Sequence, residues 1–161
     1  MTSAALDFLR GARADEPVQP VDVLALLESP QADMEEAGHG VNVRGQMHRP
    51  YPARPLALKR CLANLIENAV NYGERAEVRV EDDAAQLRII VADNGPGIPK
   101  TEIERVFEPF YRVEGSRSRA TGGVGLGLSV ARDIARRAHG GELTLRNRAG
   151  GGLEAILTLP R

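Results

Sequence analysis

Between residues 56 and 72 the apolar positions recur at helical spacing. Leu58, Leu62, Leu65, Ile66 and Ala69 share one face, which predicts an amphipathic helix closed by Gly73. At about 100° per residue, Asn64, Asn68 and Asn71 fall on a stripe beside that face, with Tyr72 at the edge between stripe and core. The period then changes. Ala76, Val78 and Val80 alternate with charged residues, Asp82-Asp83 turns the chain, and Leu87 to Ala92 runs almost wholly apolar. These predict two strands, the second ending at Asp93-Asn94-Gly95-Pro96-Gly97. Helical spacing returns at 100–111, through Ile103, Val106, Phe107 and Phe110, and again after Gly125 or Gly127, through Leu128, Ala131, Ile134, Ala135 and Ala138. Gly140-Gly141 stops that last helix. Residues 142–148 and 153–159 predict a hairpin around Gly150-Gly151-Gly152.

Upstream the pattern is weaker. Val21 to Ser29 predicts a helix interrupted by Pro30, a second helical piece runs to Ala37, and Val41 to Arg44 alternates briefly as a strand. Residues 1–16 are expected to be the remnant of a helix lying mostly upstream, with its linker, and residues 17–161 one domain. Residues 114–123 are polar, arginine-rich and glycine-ended, and are expected to form a mobile lid. The order of elements predicts an α+β two-layer sandwich: a mixed, mainly antiparallel sheet covered by helices on one face.

Composition narrows the function classes. The chain has 161 residues and a net charge of -1, which gives no electrostatic case for nucleic acid or an anionic membrane. No stretch approaches the ~20 apolar residues of a membrane span. Cys61 is the single cysteine, so a disulfide framework is excluded and a reducing cytoplasmic setting fits. Among Leu58, Leu62 and Leu65 it is expected to be a buried, inert thiol.

Three motifs carry candidate chemistry. Gly122-Gly123-Val124-Gly125-Leu126-Gly127-Leu128 lets backbone N–H groups approach an anion where a helix begins. By itself the run reads equally well as a flexible loop and helix start. Asp93 at a strand end could accept a hydrogen bond from an exocyclic amine such as that of adenine, and Gly95 and Gly97 allow a tight turn beside a flat base. By itself that segment is an ordinary turn. Asn64 and Asn68 offer hard amide oxygens to Mg²⁺ without adding negative charge against a triphosphate. A lone asparagine there would be a solvated helix face.

In this order and spacing the three motifs resemble the catalytic ATP-binding domain of bacterial sensor histidine kinases, whose superfamily includes DNA gyrase B, Hsp90 and MutL. Asn64 to Tyr72 resembles the N box, Asp93-x-Gly95-x-Gly97 the G1 box, Phe107-Glu108-Pro109-Phe110-Tyr111-Arg112 the F box, and Gly123-x-Gly125-Leu126-Gly127-Leu128 the G2 box. The resemblance runs from about residue 20 to the end. It implies the Bergerat-type ATP-binding fold, with ATP and Mg²⁺ as cofactors. It implies Asn68 as the Mg²⁺ ligand and Asn64 as support for the phosphates. Asp93 would bind the adenine amine directly and, with Thr158, through water. Tyr72 would pack on adenine or sugar, and Ile98 would line the base pocket. Arg112 would reach the γ-phosphate or position the lid, and Gly123, Gly125, Leu126, Gly127 and Leu128 would meet the phosphates. Asn71 stands where the family often has a cation, a role then open to a lid arginine, Arg117 or Arg119.

The family's phospho-acceptor is a histidine with an acidic neighbour on a separate dimerising hairpin. His39, His48 and His139 lack that context, and His139 sits at a helix end where capping is expected. The resemblance therefore implies an ATP-binding half that does not label itself, with the acceptor domain and a response regulator as partners. The parent protein would be cytoplasmic at this end, with any inner-membrane anchor elsewhere. Two other readings stand beside it: a serine kinase or clamp-type ATPase of the same superfamily, and a non-catalytic interaction module. Clamp ATPases carry a glutamate base where Asn64 stands.

Overall fold

A strand pattern that is apolar on alternate residues must bury one face, and helices supply the cover here. A computed structural model describes residues 16–111 and 127–161. In chain order the elements are β1 (Gln19–Val21), α1 (Val23–Leu26), α2 (Glu28–Glu36), β2 (Val41–Gly45), β3 (Tyr51–Ala53), α3 (Pro55–Gly73), β4 (Ala76–Asp82) and β5 (Gln86–Asp93). Two 3₁₀ turns follow, Lys100–Glu102 and Arg105–Phe107, then α4 (Gly127–Asp133), which widens into a π-helical turn at Ile134–Ala138, then β6 (Glu142–Asn147) and β7 (Leu153–Pro160).

The main sheet has five strands in the order β2-β4-β5-β7-β6. Only β2 and β4 pair in parallel, joined by a crossover through α3. The other three pairings are antiparallel. Val78, Val80, Ile89, Val91, Leu143, Leu145, Ala155 and Leu157 form one continuous core with Leu58, Leu62, Leu65 and Ile66 of α3 and with Leu128, Ala131 and Ile134. The expected helix face of residues 56–72 is thus the buried face. On the opposite side of the sheet Ile90 and Ile156 are also buried. The pairing register places Arg79, Ile90, Ile156 and Thr144 side by side there, with Arg79 reaching Glu154 at 3.9 Å and Arg146 reaching it at 2.5 Å. Long charged side chains cover apolar ones on this face, as arginine stems can.

Four local expectations change. The upstream helix breaks at Leu27, and Pro30 lies inside the first turn of α2. A first-turn N–H has no intrahelical partner, so proline does no harm there. Residues 100–111 form 3₁₀ turns, not an α-helix. Gly73 is the last residue of α3, and the left-handed cap is Glu74 at φ 73°. Finally, β1 and β3 form a separate two-stranded antiparallel ladder that the short, proline-containing segments did not signal.

Glu16, on the linker side of the expected boundary, hydrogen-bonds into this body. Its carboxylate accepts the Leu56 and Ala57 amides at 2.7 and 3.1 Å, capping the N-terminus of α3. Arg54 adds bonds to the carbonyls of Glu16 and Ala138. The remaining residues of the expected helix remnant lie outside the described residues.

The C-terminal end is held by charge. Arg161 and Asp82 pair at 2.8 and 2.9 Å with almost no exposure, and Arg161 also donates to the carbonyls of Arg49 and Pro50. Arg161, with help from the His48 and Arg49 amides, holds the Asp82 carboxyl below its ordinary value of 3.8. A carboxylate whose folded-state pKa is depressed contributes stability above the unfolded pKa and loses it as pH falls through the folded one. Asp82→Asn is therefore expected to lower stability at pH 7, and that deficit should shrink as pH falls below about 4. Denaturant unfolding of both chains over pH 3 to 7 checks this, and an unchanging deficit would contradict it.

Candidate functional site

The site grows from the contact between the end of α3 and the turn after β5. A Cβ on Gly73 would lie 2.8 Å from the Asp93 Cβ, and one on Gly95 would lie 2.4 Å from the Tyr72 carbonyl oxygen. Glycine at both positions lets helix and turn touch backbone to backbone. This sets the Tyr72 backbone against Gly95 and Gly73 against Asp93.

Asp93 is 3% exposed. Its Oδ1 accepts the Gly95 amide at 2.8 Å and the Leu153 amide at 3.3 Å. Both bonds fall on Oδ1. Burial pushes the carboxyl pKa up, while the Gly95 and Leu153 amides and the Arg148 guanidinium pull it down. The Asp93 carbonyl accepts from Arg148 Nη1 at 2.9 Å.

Further along the turn, Gly97 adopts φ 78° and Ile98 is 2% exposed. Asn147 holds Ile98 at two points, accepting its N–H at 2.9 Å and donating to its carbonyl at 2.8 Å. Val106 and Phe107 are buried after it, and the Arg132 guanidinium lies 4.0 Å from the Phe107 ring centre. The Tyr111 hydroxyl donates to Glu102, so the two ends of this segment are tied together.

On α3, Asn64 and Asn68 are half-buried, along the stripe the sequence predicts. Asn64 Nδ2 donates to the Gly127 carbonyl at 3.3 Å, which joins the amide stripe to the first residue of α4. Leu128 turns inward and is buried. Tyr72, Asp93, Gly95, Gly97 and Ile98 thus gather where the end of α3 meets the turn after β5, while Asn64 meets Gly127 further back along α3, on the helix that also carries Asn68, and Leu128 follows Gly127. Arg112, Gly123, Gly125, Leu126, Arg117, Arg119 and the expected lid lie outside the described residues.

Thr158 is not brought to this cluster. It pairs with Arg88 near the far end of β5, while Leu153, at the opposite end of β7, meets Asp93. Five residues of strand, about 17 Å, separate the two. Leu153, Asn147, Arg148 and Gly152 are the site neighbours that the sequence reading missed. Their available signal was the Gly150-Gly151-Gly152 run, longer than a two-residue hairpin needs.

Other candidates resolve structurally. Cys61 is fully buried, its thiol lies 3.5 Å from the Ala131 carbonyl, and burial pushes its pKa up to about 12. It is inert, as expected. His139 caps the helical segment ending at Ala138. Its Nε2 accepts the Arg54 amide at 3.1 Å and its Nδ1 faces the Ile134 carbonyl at 3.2 Å, an arrangement of neutral imidazole, and burial holds its pKa down. Among the described residues no group of three or more His, Cys, Asp or Glu could hold a metal ion.

The chain belongs to the family of histidine kinase-, DNA gyrase B- and HSP90-like ATPases, whose model matches residues 53–161. Within that family it is similar to sensor histidine kinases. It is 43% identical over 161 residues to the sensor histidine kinase GtrS of Pseudomonas aeruginosa, covering all of this chain and 33% of that protein. It is 37% identical to the sensor protein CutS of Streptomyces coelicolor, covering 92% of this chain and 38% of that one. Among solved structures, the catalytic domain of histidine kinase ThkA superposes with a TM-score of 0.77 at 26% identity, over 89% of this chain and 95% of that one. Full-length ShkA in complex with AMPPNP superposes with a TM-score of 0.78 at 28% identity, over 97% of this chain and 34% of that one. The chain therefore spans a third to two fifths of these curated relatives, and the part it matches is the catalytic domain.

Proposed function

We propose that this chain binds ATP with Mg²⁺ between α3, the 93–98 turn and the start of α4, and presents the γ-phosphate to a histidine on a separate dimerising domain. The observation that carries this reading is Asp93. A carboxylate buried at a strand end, with one oxygen bonded to two backbone amides, suits recognition of the adenine amine through the other. The glycines hold the turn in place: a Cβ on Gly95 would press on the Tyr72 carbonyl and one on Gly97 on the Asn147 amide, so their absence lets the turn pack closely against α3 and the β6–β7 hairpin.

In this reading Tyr72 and Ile98 enclose the base, and the Leu153 amide orients Asp93. Asn64 supports the phosphates while tying α3 to Gly127, and Asn68 offers its amide oxygen to the metal. Bound Mg²⁺ would supply charge neutralisation at the triphosphate. Arg112 and the glycines Gly123 and Gly125, with Leu126, would complete the phosphate end. The protein's contribution is positioning, which is what phosphoryl transfer chiefly demands of it. Partners would be the acceptor hairpin and a response regulator; the related ThkA was solved in complex with its response regulator TrrA. No helix among the described residues is long and apolar enough to cross a membrane, and the single free thiol fits a cytoplasmic setting.

Incubation with γ-labelled ATP tests the division of labour. The chain alone should stay unlabelled. A histidine-bearing hairpin supplied as a separate protein should gain label that acid removes and alkali does not. Strong labelling of the chain alone, or label stable to acid, would count against the histidine-kinase reading.

A further inference from the structure

The tip of the β6–β7 hairpin reaches back across the 93–98 turn. Asn147, the last residue of β6, uses both atoms of its amide on one backbone unit, Ile98. This turn leaves the sheet after Asp93, so Ile98 has no strand to pair with, and a side chain replaces the missing ladder rung. The fit is close. A Cβ on Gly97 would lie 2.5 Å from Asn147 Oδ1, so the bare α-carbon of Gly97, at φ 78°, lets the amide reach its partner. The next residue, Arg148, holds the carbonyl of Asp93 at 2.9 Å. Adjacent residues of one hairpin therefore grip both ends of the turn.

We propose that Asn147 is a positioning residue for the base: it fixes Ile98 at a set distance from Asp93 and so controls affinity for adenine while leaving the phosphate end untouched. The proposal rests on the ATP reading above. It assigns Asn147 no contact with reacting atoms. Its removal leaves the N–H and carbonyl of buried Ile98 without these partners, and the turn loses its fixed spacing.

The test compares the parent chain with Asn147→Ala and Asn147→Asp. Affinities for ATP and for ADP, each with Mg²⁺, are measured by calorimetry, and amide hydrogen exchange is followed through residues 95–99. Asn147→Ala should weaken ATP about tenfold and weaken ADP by the same factor, because the two ligands differ only at the γ-phosphate. Exchange at the Ile98 amide should quicken while β5 and β7 keep their protection. Asn147→Asp retains the acceptor for the Ile98 N–H but sets a carboxylate oxygen against the Ile98 carbonyl, so its affinity should fall at least as far as in the alanine chain. It also carries the comparison if the alanine chain does not fold. Unchanged ATP affinity, or a loss confined to ATP, would overturn the proposal, as would loss of protection throughout the sheet. A parent chain that binds no ATP overturns the ATP reading and this proposal together. A parent that binds ATP beside an equally tight Asn147→Ala overturns this proposal alone.

Discussion

Asp93→Asn should weaken ATP binding by about 10- to 100-fold, the range expected when a charged acceptor in a buried site loses its hydrogen bond. The substitution is nearly isosteric. Its amide oxygen can still accept the Gly95 and Leu153 N–H groups that now bond Oδ1. What changes is the other atom, where an NH₂ group would face the amine of adenine, donor against donor. The fold should survive, because burial already pushes the Asp93 carboxyl pKa upward and the amide carries no charge to desolvate. Calorimetry with ATP and Mg²⁺, beside a melting curve, checks both halves. Equal affinity in a folded variant would remove Asp93 from the base pocket, and with it the main support for an adenine nucleotide.

Gly152→Ala should act on the same residue through stability. A Cβ at this position would lie 2.0 Å from the Asp93 carbonyl oxygen, which is backbone and cannot swing aside, and the glycine sits at φ 101°. Steric conflict and backbone strain each cost roughly 1–3 kcal/mol. Their sum is a large share of the roughly 5–15 kcal/mol that a domain has. The melting temperature should drop by about 10 °C. Gly150→Ala is the matched control, since Gly150 has a similar φ of 90° with open space around it. It should show the strain cost alone. Equal melting temperatures for the two variants would mean that the contact with Asp93 is not what fixes glycine at 152.

The two positions show what the sequence made legible and what it did not. Asp93 was readable because its neighbours are punctuation: glycines at 95 and 97 after an apolar strand announce a turn and a free carboxylate together. The amide stripe on α3 was readable because a long amphipathic helix repeats its period often enough to fix which face is buried. Leu153 was not readable, because the contact uses its backbone N–H, and any residue carries one. Nor did Thr158 have a register until β7 was paired with β5, since a hydroxyl on an alternating strand says nothing of which strand lies beside it. Pro30 and the 3₁₀ turns after Lys100 failed for a shared reason. Both depend on where a helical segment starts and how many turns it makes, and apolar spacing alone does not mark either. Gly73 was read as a helix stop. Its real requirement is the closeness of Asp93 and Gly95, and that closeness exists only in three dimensions.

The strand order carries a consequence for how the molecule is made. The last strand, β7, lies inside the sheet, with β5 on one side and β6 on the other. Residue 86 meets residue 160, and Arg161 closes on Asp82. The central strand therefore has one neighbour missing until the final residues of this segment are available, and Asp93 lacks the Leu153 amide for as long. Contacts so distant along the chain form late in folding. During synthesis β5 would wait with an open edge while the helices α1 to α3 before it are already complete, and the surroundings of Asp93 are completed only when β7 pairs with β5.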